Sequence, residues 1–372
     1  MEKTVLPSGF HDLLFPESEI QEQTIHELLQ HVRKFGYQLV EPPFIEFEDS
    51  LFAGMSRDLE DNSFRLMDPN SHKMMAIRPD ITAQVARIAS SRLDRDPLPL
   101  RLSYAGQVFR VSSDGVLNTH RQQVQAGIEL IGSDSPIADA EILIITLSAL
   151  IKFGVRDICV DFNFSNIVDL IIDKLSIPQS DHEDLRLALY HKDAIKIAQI
   201  IPEQSEFINK LISPGLKIEH LREFKILSSM QSTLDRLEAV IKCIESRIEG
   251  INISITPVEK EYSYHKDITF SIYARGINYK IARGGRYLIE SEEDKSIDAV
   301  GITLYTDSLF SILSYEKTEN KILVPADTSQ NEINKLQDDG YVTITSFSGD
   351  LEPEAKNLKC NFIYFSKKIK KI

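Results

Sequence analysis

Gln125 and Glu129 stand four residues apart in QVQAGIELI, where Val124, Ala126, Ile128 and Leu130 alternate with them. On a strand, residues at even spacing share a face. One face would then carry an amide and a carboxylate while the other is apolar, the pattern of a polar pocket; a half-exposed strand would show the same spacing. Asp80 in IRPDIT is a carboxylate near an expected helix N-terminus, where it could cap the helix or receive a cation. Arg110 ends a strand-like run. In ARGGRY, Arg286 and Tyr287 follow two glycines that let a backbone approach a ligand closely, and the guanidinium could pair with an anion. A hairpin turn with a surface arginine would look alike. Metal chemistry finds no footing: His26 and His31 are five apart and no HExxH occurs. There is no GxSxG, Walker loop or dinucleotide fingerprint, so no cofactor is expected.

The elements that must position these residues follow from periodicity. Glu17–Phe35 carries an apolar helical stripe (Ile20, Ile25, Leu28, Leu29, Val32) opened by Pro16. Tyr37–Val40 is a strand ended by Pro42-Pro43. Arg78–Leu93 is expected to be helical, with Pro79 in its first turn. Leu100–Val111 and Gln123–Ile131 form an antiparallel pair joined by Ser112–Arg121. Pro136–Phe153 is a helix and Asp157–Phe162 a strand. Residues 165–250 are a helical block closing with one long helix, Leu221–Ile248. Ile251–Ile255, Ile268–Ala274 and Tyr279–Arg283 return to strands before a glycine turn at Gly284-Gly285. The expected architecture is α+β: an antiparallel sheet flanked by helices, with an inserted helical subdomain, over residues 1–319. The 53 residues after Glu319 alternate strand and helix, a short α/β segment (320–372) ending in a solvated lysine cluster, Lys367–Lys371.

Bulk properties narrow the function. A 372-residue chain that is 42% hydrophobic and 26% charged is ordinary globular protein. The longest apolar run, about Ile142–Ile151, is too short and too interrupted for a membrane span. The N-terminus lacks a signal-peptide pattern, and Cys159, Cys243 and Cys360 lie far apart, which suits a reducing cytoplasm. A net charge of −14 weighs against nucleic-acid binding.

Four segments resemble class II histidyl-tRNA synthetases. FGYQLVEPPFIE (Phe35–Glu46) is similar to the motif of the class II dimer interface, with Pro43 as its proline. IRPDIT resembles the segment whose carboxylate receives the amino acid's ammonium, a role implied for Asp80, with Arg78 and Thr82 organising the pocket. LSYAGQVFRVSSDGVLNTHRQQVQAGIELIG resembles motif 2. The resemblance implies that Arg110 holds a phosphate or carboxylate, and that Gln125 and Glu129 recognise the imidazole and ammonium of histidine. ARGGRY, with Arg286 and Tyr287, is similar to the histidyl-specific AGGRY segment. The family's catalytic groups fall on other residue types here: a glutamate at Ser112, an arginine near Lys260 in the segment of about Lys260–His265, where Lys260 or His265 would be a poor substitute, and the ATP arginine at Ser308. A serine hydroxyl cannot neutralise triphosphate charge. The tail is also about half the size of an anticodon-binding domain.

Phrases such as MAIRPDITAQVARIA, PLRLSYAGQVFRV and YHKDITFSIYARG resemble the alphaproteobacterial form of the ATP phosphoribosyltransferase regulatory subunits, paralogues of the synthetase. That resemblance implies a cytoplasmic, non-catalytic subunit of histidine biosynthesis, dimeric through the class II interface. It further implies a hetero-octamer with the short-form catalytic subunit, which this chain would activate and make sensitive to histidine, with no tRNA and no membrane as partner. Histidine could bind in the remnant pocket (Asp80, Thr82, Arg110, Gln125, Glu129, Arg286, Tyr287) or at a subunit interface. The alternative is a divergent histidyl-tRNA synthetase.

Overall fold

The structure is a computed structural model that describes residues 5–53, 55–112, 120–260, 264–277, 279–290, 296–310 and 320–372. It divides into two compact units, Met1–Leu313 and Ser314–Ile372. In the larger unit a helix, Glu17–Arg33, buries Thr24, Leu28 and Val32 on one stripe. It leads into the short edge strand β1 (Gln38–Leu39), followed by an antiparallel three-stranded sheet of β2 (Ile45–Phe47), β3 (Arg65–Met67) and β4 (Met74–Ile77) in the order β2-β4-β3. The remaining strands of this unit are β5 (Leu100–Phe109), β6 (Gln122–Ile131), β7 (Ile158–Phe164), β8 (Asn252–Ile255), β9 (His265–Ala274), β10 (Ala282–Glu290) and β11 (Ser296–Tyr305). With β1 they build an eight-stranded sheet, β1-β5-β6-β11-β10-β9-β7-β8. Its inner pairs are antiparallel; only the edge pairs β1–β5 and β7–β8 are parallel.

The two faces of this sheet do different work. Ala126, Ile128, Leu130, Phe162, Phe270 and Ile302 pack on the helix Pro136–Lys152 and the helical block in one large core. The opposite face puts Leu102, Tyr104, Ile131 and Tyr287 beneath Ile81 and Val85. That second face carries the polar residues of interest. The block between β7 and β8 is helical, running from Ile167–Lys174 to Gln231–Glu245. In the smaller unit, β12 (Asn320–Val324) is flanked by parallel neighbours β13 (Tyr341–Thr345) and β14 (Phe362–Phe365), with the antiparallel β15 (Lys368–Lys371) outside β14.

Four expectations are corrected. The helix expected from Arg78 begins at Thr82 and runs to Ser91. A residue before proline avoids helical torsions, and the buried Arg78 guanidinium is held by the Pro42 and Gln107 carbonyls, each at 2.8 Å, and lies over Phe44. Gly284-Gly285 is no turn but the middle of β10. A side chain at Gly284 would meet the Gly301 carbonyl and Phe270, so the strands approach this closely only over glycine. The single helix expected over 221–248 is broken: Phe224 is extended and packs edge-on against Phe207, with rings 5.1 Å apart, and a 3-10 segment, Lys225–Met230, precedes the final helix. Finally, the lysine tail folds back as β15. Ser366 and Lys367, with φ of 49° and 62°, make a two-residue hairpin turn, and Lys368 to Lys371 give an exposed edge that discourages strand addition.

Candidate functional site

Strand register alone brings most of the site together. On β5 and β6, Leu102 pairs with Glu129, Tyr104 with Gly127 and Gly106 with Gln125; β11 places Gly301 opposite Glu129 and Thr303 opposite Gly127. Glu129 is 1% exposed. It fits because Gly301 has no side chain: a methyl group there would run into the Glu129 carboxylate. The Tyr287 hydroxyl donates to Glu129 Oε2 at 2.8 Å, and the Tyr104 hydroxyl lies 3.3 Å from Oε1. Tyr104 also meets Thr303 Oγ1 (2.7 Å) and Thr82 Oγ1 (3.2 Å), tying four strands and a helix start into one network.

Asp80 does two jobs. Its Oδ1 accepts the Thr82 amide N–H at 2.8 Å, capping the helix, and its Oδ2 accepts Gln125 Nε2 at 3.1 Å. Gln125 in turn accepts the Ile81 N–H through Oε1 at 3.3 Å. Arg110 is buried behind this turn, its Nε donating to the Pro79 carbonyl at 3.1 Å. Asp80, Thr82, Glu129 and Tyr287 then line a half-open cavity with Tyr264, His265, Arg283 and Thr303, about 320 Å³ including its mouth.

Burial dominates the electrostatics. It pushes the Glu129 carboxyl up to about 8, aided by the charge of Asp80 and opposed by the hydroxyls bonded to it. Burial pushes His265 down to about 3, with Arg283 adding repulsion, so its imidazole is neutral. Tyr104 and Tyr287 are held well above their ordinary range by burial and by Glu129. The ligand-free cavity therefore sets the neutral Glu129 carboxyl and His265 imidazole beside the Asp80 side chain and the Arg283 guanidinium. A ligand cation beside Glu129 would draw its proton off. The arrangement suits a small molecule with several N–H donors and positive charge. Among the described residues no group of three His, Cys, Asp or Glu could hold a metal.

Arg286 is not in this pocket. Its neighbour Tyr287 faces Glu129, so Arg286 points to the opposite face, where it is 2% exposed and paired with Asp139 at 2.9 Å. Alternation on a strand dictates this, and the anion expected for it is internal. Ser112 lies on the surface, its hydroxyl on Asn62 Oδ1. Lys260 is exposed beside Asp58. The intervening residues 261–263, the loop 113–119 and the side chain of Ser308, in the helix Thr306–Phe310, lie outside the described residues. Sequence reasoning missed Tyr104, Thr303 and Gly301. They enter only through strand register, which sets Tyr104 opposite Gly127 and Gly301 opposite Glu129.

The histidyl-tRNA synthetase family matches residues 9–309. An ATP phosphoribosyltransferase regulatory subunit from Paramagnetospirillum magneticum is 36% identical over 365 residues, covering 96% of this chain and 95% of the relative. A protein of the same description from Gluconobacter oxydans is 35% identical over 369 residues, covering 97% and 95%. The chain belongs to the ATP phosphoribosyltransferase regulatory subunit family. Its class II synthetase-like architecture is equally plain. A Bacillus halodurans structure described as an ATP phosphoribosyltransferase regulatory subunit/histidyl-tRNA synthetase superposes with a TM-score of 0.81 at 22% identity, covering 98% of each chain. The histidyl-tRNA synthetase of Nostoc superposes with a TM-score of 0.77 at 17% identity, covering 97% of this chain and 91% of its own.

Proposed function

We propose that this chain is a non-catalytic regulatory subunit of ATP phosphoribosyltransferase that binds L-histidine in the Asp80–Gln125–Glu129 pocket. In this reading it activates a short-form catalytic subunit and transmits feedback inhibition in the first step of histidine biosynthesis. The observation that carries the reading is a contrast. The groups suited to an amino acid's N–H donors are buried, mutually bonded and walled by glycine. At position 112 and near position 260, where the resemblance places a synthetase's glutamate and arginine, stand a surface serine and an exposed lysine paired with Asp58. A pocket without the phosphate-handling groups can sense a ligand but has no means to activate it. Regulation then requires that histidine favour one arrangement of the assembly over another.

Self-association has support in an exposed apolar row. Leu39, Phe44, Ile45, Phe47, Met67 and Met74 are between 39% and 59% exposed along the sheet-edge strand β1 and the β2–β4–β3 sheet. That concentration suits a dimer through the class II interface, from which a hetero-octamer with catalytic subunits is built in the cytoplasm. No helix among the described residues is long and apolar enough to cross a membrane. The test is reconstitution. The purified chain is mixed with the short-form catalytic subunit, and phosphoribosyl-ATP formation is followed with and without histidine. Stimulation and new histidine sensitivity are expected, with sensitivity lost in Gln125→Ala and Glu129→Ala. No stimulation, together with tRNA charging by the chain alone, would overturn the proposal in favour of a synthetase.

A further inference from the structure

Adjacent residues of β10 reach into two different parts of the molecule. Tyr287 faces the pocket and donates to Glu129 at 2.8 Å. Arg286, on the other face, sits in a buried charge cluster: its Nε is 2.9 Å from Asp139 Oδ1, and its Nη2 donates to the Ser133 carbonyl at 2.9 Å. The same Asp139 is bound through Oδ2 by Arg236 Nη1 at 2.9 Å, and Arg236 Nη2 reaches Asp134 Oδ1 at 2.6 Å. Arg236 belongs to the last helix of the helical block, Gln231–Glu245, and Asp139 to the first turn of Pro136–Lys152. The β10–β9 register slips between Gly285 and Arg286, so the local path of β10 is not set by the ladder alone.

We propose that Arg286 is a positioning residue: by anchoring β10 to Asp139 and Arg236, it sets the Tyr287 hydroxyl on Glu129 and couples the helical block to the pocket. The physical reasoning is that a guanidinium with almost no solvent contact is held by every partner it has, and a shift of the Asp139–Arg236 pair must move it. A shift at Arg286 moves the next residue, whose hydroxyl stabilises the charged form of Glu129. The groups facing Glu129 are Asp80 and Thr82 at the helix start, Tyr104 of β5, Tyr287 of β10, and His265 and Arg283 on the cavity wall. Of the two tyrosines, Tyr287 lies nearer the carboxylate, at 2.8 Å against 3.3 Å for Tyr104. The inference deepens the effector-pocket reading and rests on it only for its ligand arm.

The test reads Glu129 directly in the full-length chain, ligand-free, by carboxyl ¹³C NMR of glutamate-labelled protein titrated above pH 6. Ordinary surface glutamates have finished titrating there, and Glu129→Gln assigns the signal. In Tyr287→Phe the midpoint should rise by about one pH unit, as expected for losing a hydrogen bond to a charged acceptor. Arg286→Lys should raise it too, and the double variant should rise no further than Tyr287→Phe alone, since both act through one hydroxyl. Arg236→Gln, at a partly exposed position, should give a smaller rise, and Arg222→Gln, which breaks two surface ion pairs of the same helical block, none. A merely structural role for Arg286 would lower the melting temperature and leave the midpoint in place. That result, or additive shifts in the double variant, overturns the proposal. If Arg286→Lys fails to fold, an unmoved midpoint in Arg236→Gln overturns the coupling. Adding L-histidine to wild type separates the two readings: expected free-chain shifts with no response to histidine uphold the positioning and sink the effector pocket.

Discussion

Replacing Glu129 by glutamine should make the chain more stable, and increasingly so as pH rises. The carboxyl is held at about 8 by burial against an ordinary value of 4.5. The sign follows from linkage: below pH 4.5 the group is neutral in both folded and unfolded chains, and no penalty exists. Between 4.5 and 8 the unfolded chain ionises while the folded one keeps its proton, so wild-type stability falls steadily. Above 8 both are charged and the penalty is constant. A gap of 8 − 4.5, or about 3.5 pH units, at 1.36 kcal/mol each sets a ceiling of about 5 kcal/mol. Relaxation and water entry reduce this, so about 2–3 kcal/mol at pH 8 is expected. Glutamine keeps an acceptor for the Tyr287 hydroxyl, and its amide can donate to Tyr104, whose proton turns to Thr303. Calorimetry at pH 5 and pH 8.5 is the assay. The melting temperature of Glu129→Gln should exceed wild type by several degrees at the higher pH, with the gap shrinking to near nothing at the lower. A variant less stable than wild type at pH 8.5, or a gap independent of pH, would refute the account of Glu129 as a strained, pH-sensitive group. The same variant should lose L-histidine binding, since the charged acceptor is gone.

Gly301→Ala places a methyl group against the Glu129 carboxylate and should destabilise by about 2–4 kcal/mol, with loss of L-histidine binding in calorimetric titration. L-Histidine binding to wild type should tighten as pH rises from 6 to 8, because a ligand cation competes with the Glu129 proton; isothermal titration in buffers of different ionisation enthalpy should detect the released proton. In the smaller unit, Glu354 is held down to about 2 by the Phe347 and Ser348 amides and the Ser346 and Ser348 hydroxyls. Its stabilisation should be fully present above pH 4.5 and lost as pH falls toward 2, and Glu354→Gln should flatten that acid limb in a circular-dichroism titration. Arg78→Ala should uncover the Pro42 and Gln107 carbonyls and lower stability by about 2–4 kcal/mol, read from denaturant midpoints.

Periodicity was enough for most of the frame. The stripe of Glu17–Arg33 names its buried face without help, and the alternation of Leu100–Phe109 and Gln122–Ile131 marks both as strands, the second buried on both faces. The failures share a cause: a long-range contact outweighed local propensity. Arg78 leaves the helix because carbonyls 29 and 36 residues away hold its guanidinium. Gly284-Gly285 stays extended because the facing Gly301 carbonyl leaves room for nothing larger. Arg286 was placed in the pocket by its motif, whereas strand parity, available from Tyr287 alone, puts it behind the sheet. Within the site, Gln125 and Glu129 were legible because their spacing is local. Tyr104 and Thr303 were not, since nothing in sequence brings residues 199 apart to 2.7 Å.

The energetics of the pocket argue that it is used. A scaffold needing only to hold its shape gains nothing from a carboxylate at 1% exposure whose ionisation is opposed by burial and by Asp80. It would also gain from a β-branched residue, rather than glycine, at position 301 in the middle of a central strand. Both features become favourable only when a cationic ligand enters. In the proposed effector reading, such a ligand would pair with the ionised form of Glu129, the carboxylate that fills the room over Gly301. Strain of this kind is removed by binding, so the liganded chain is the more stable one, and any partner arrangement compatible with that state is favoured with it. Effector binding and quaternary preference then draw on the same free energy. Ligand-driven regulation, as proposed for this chain, needs only that the pocket be less comfortable empty than full.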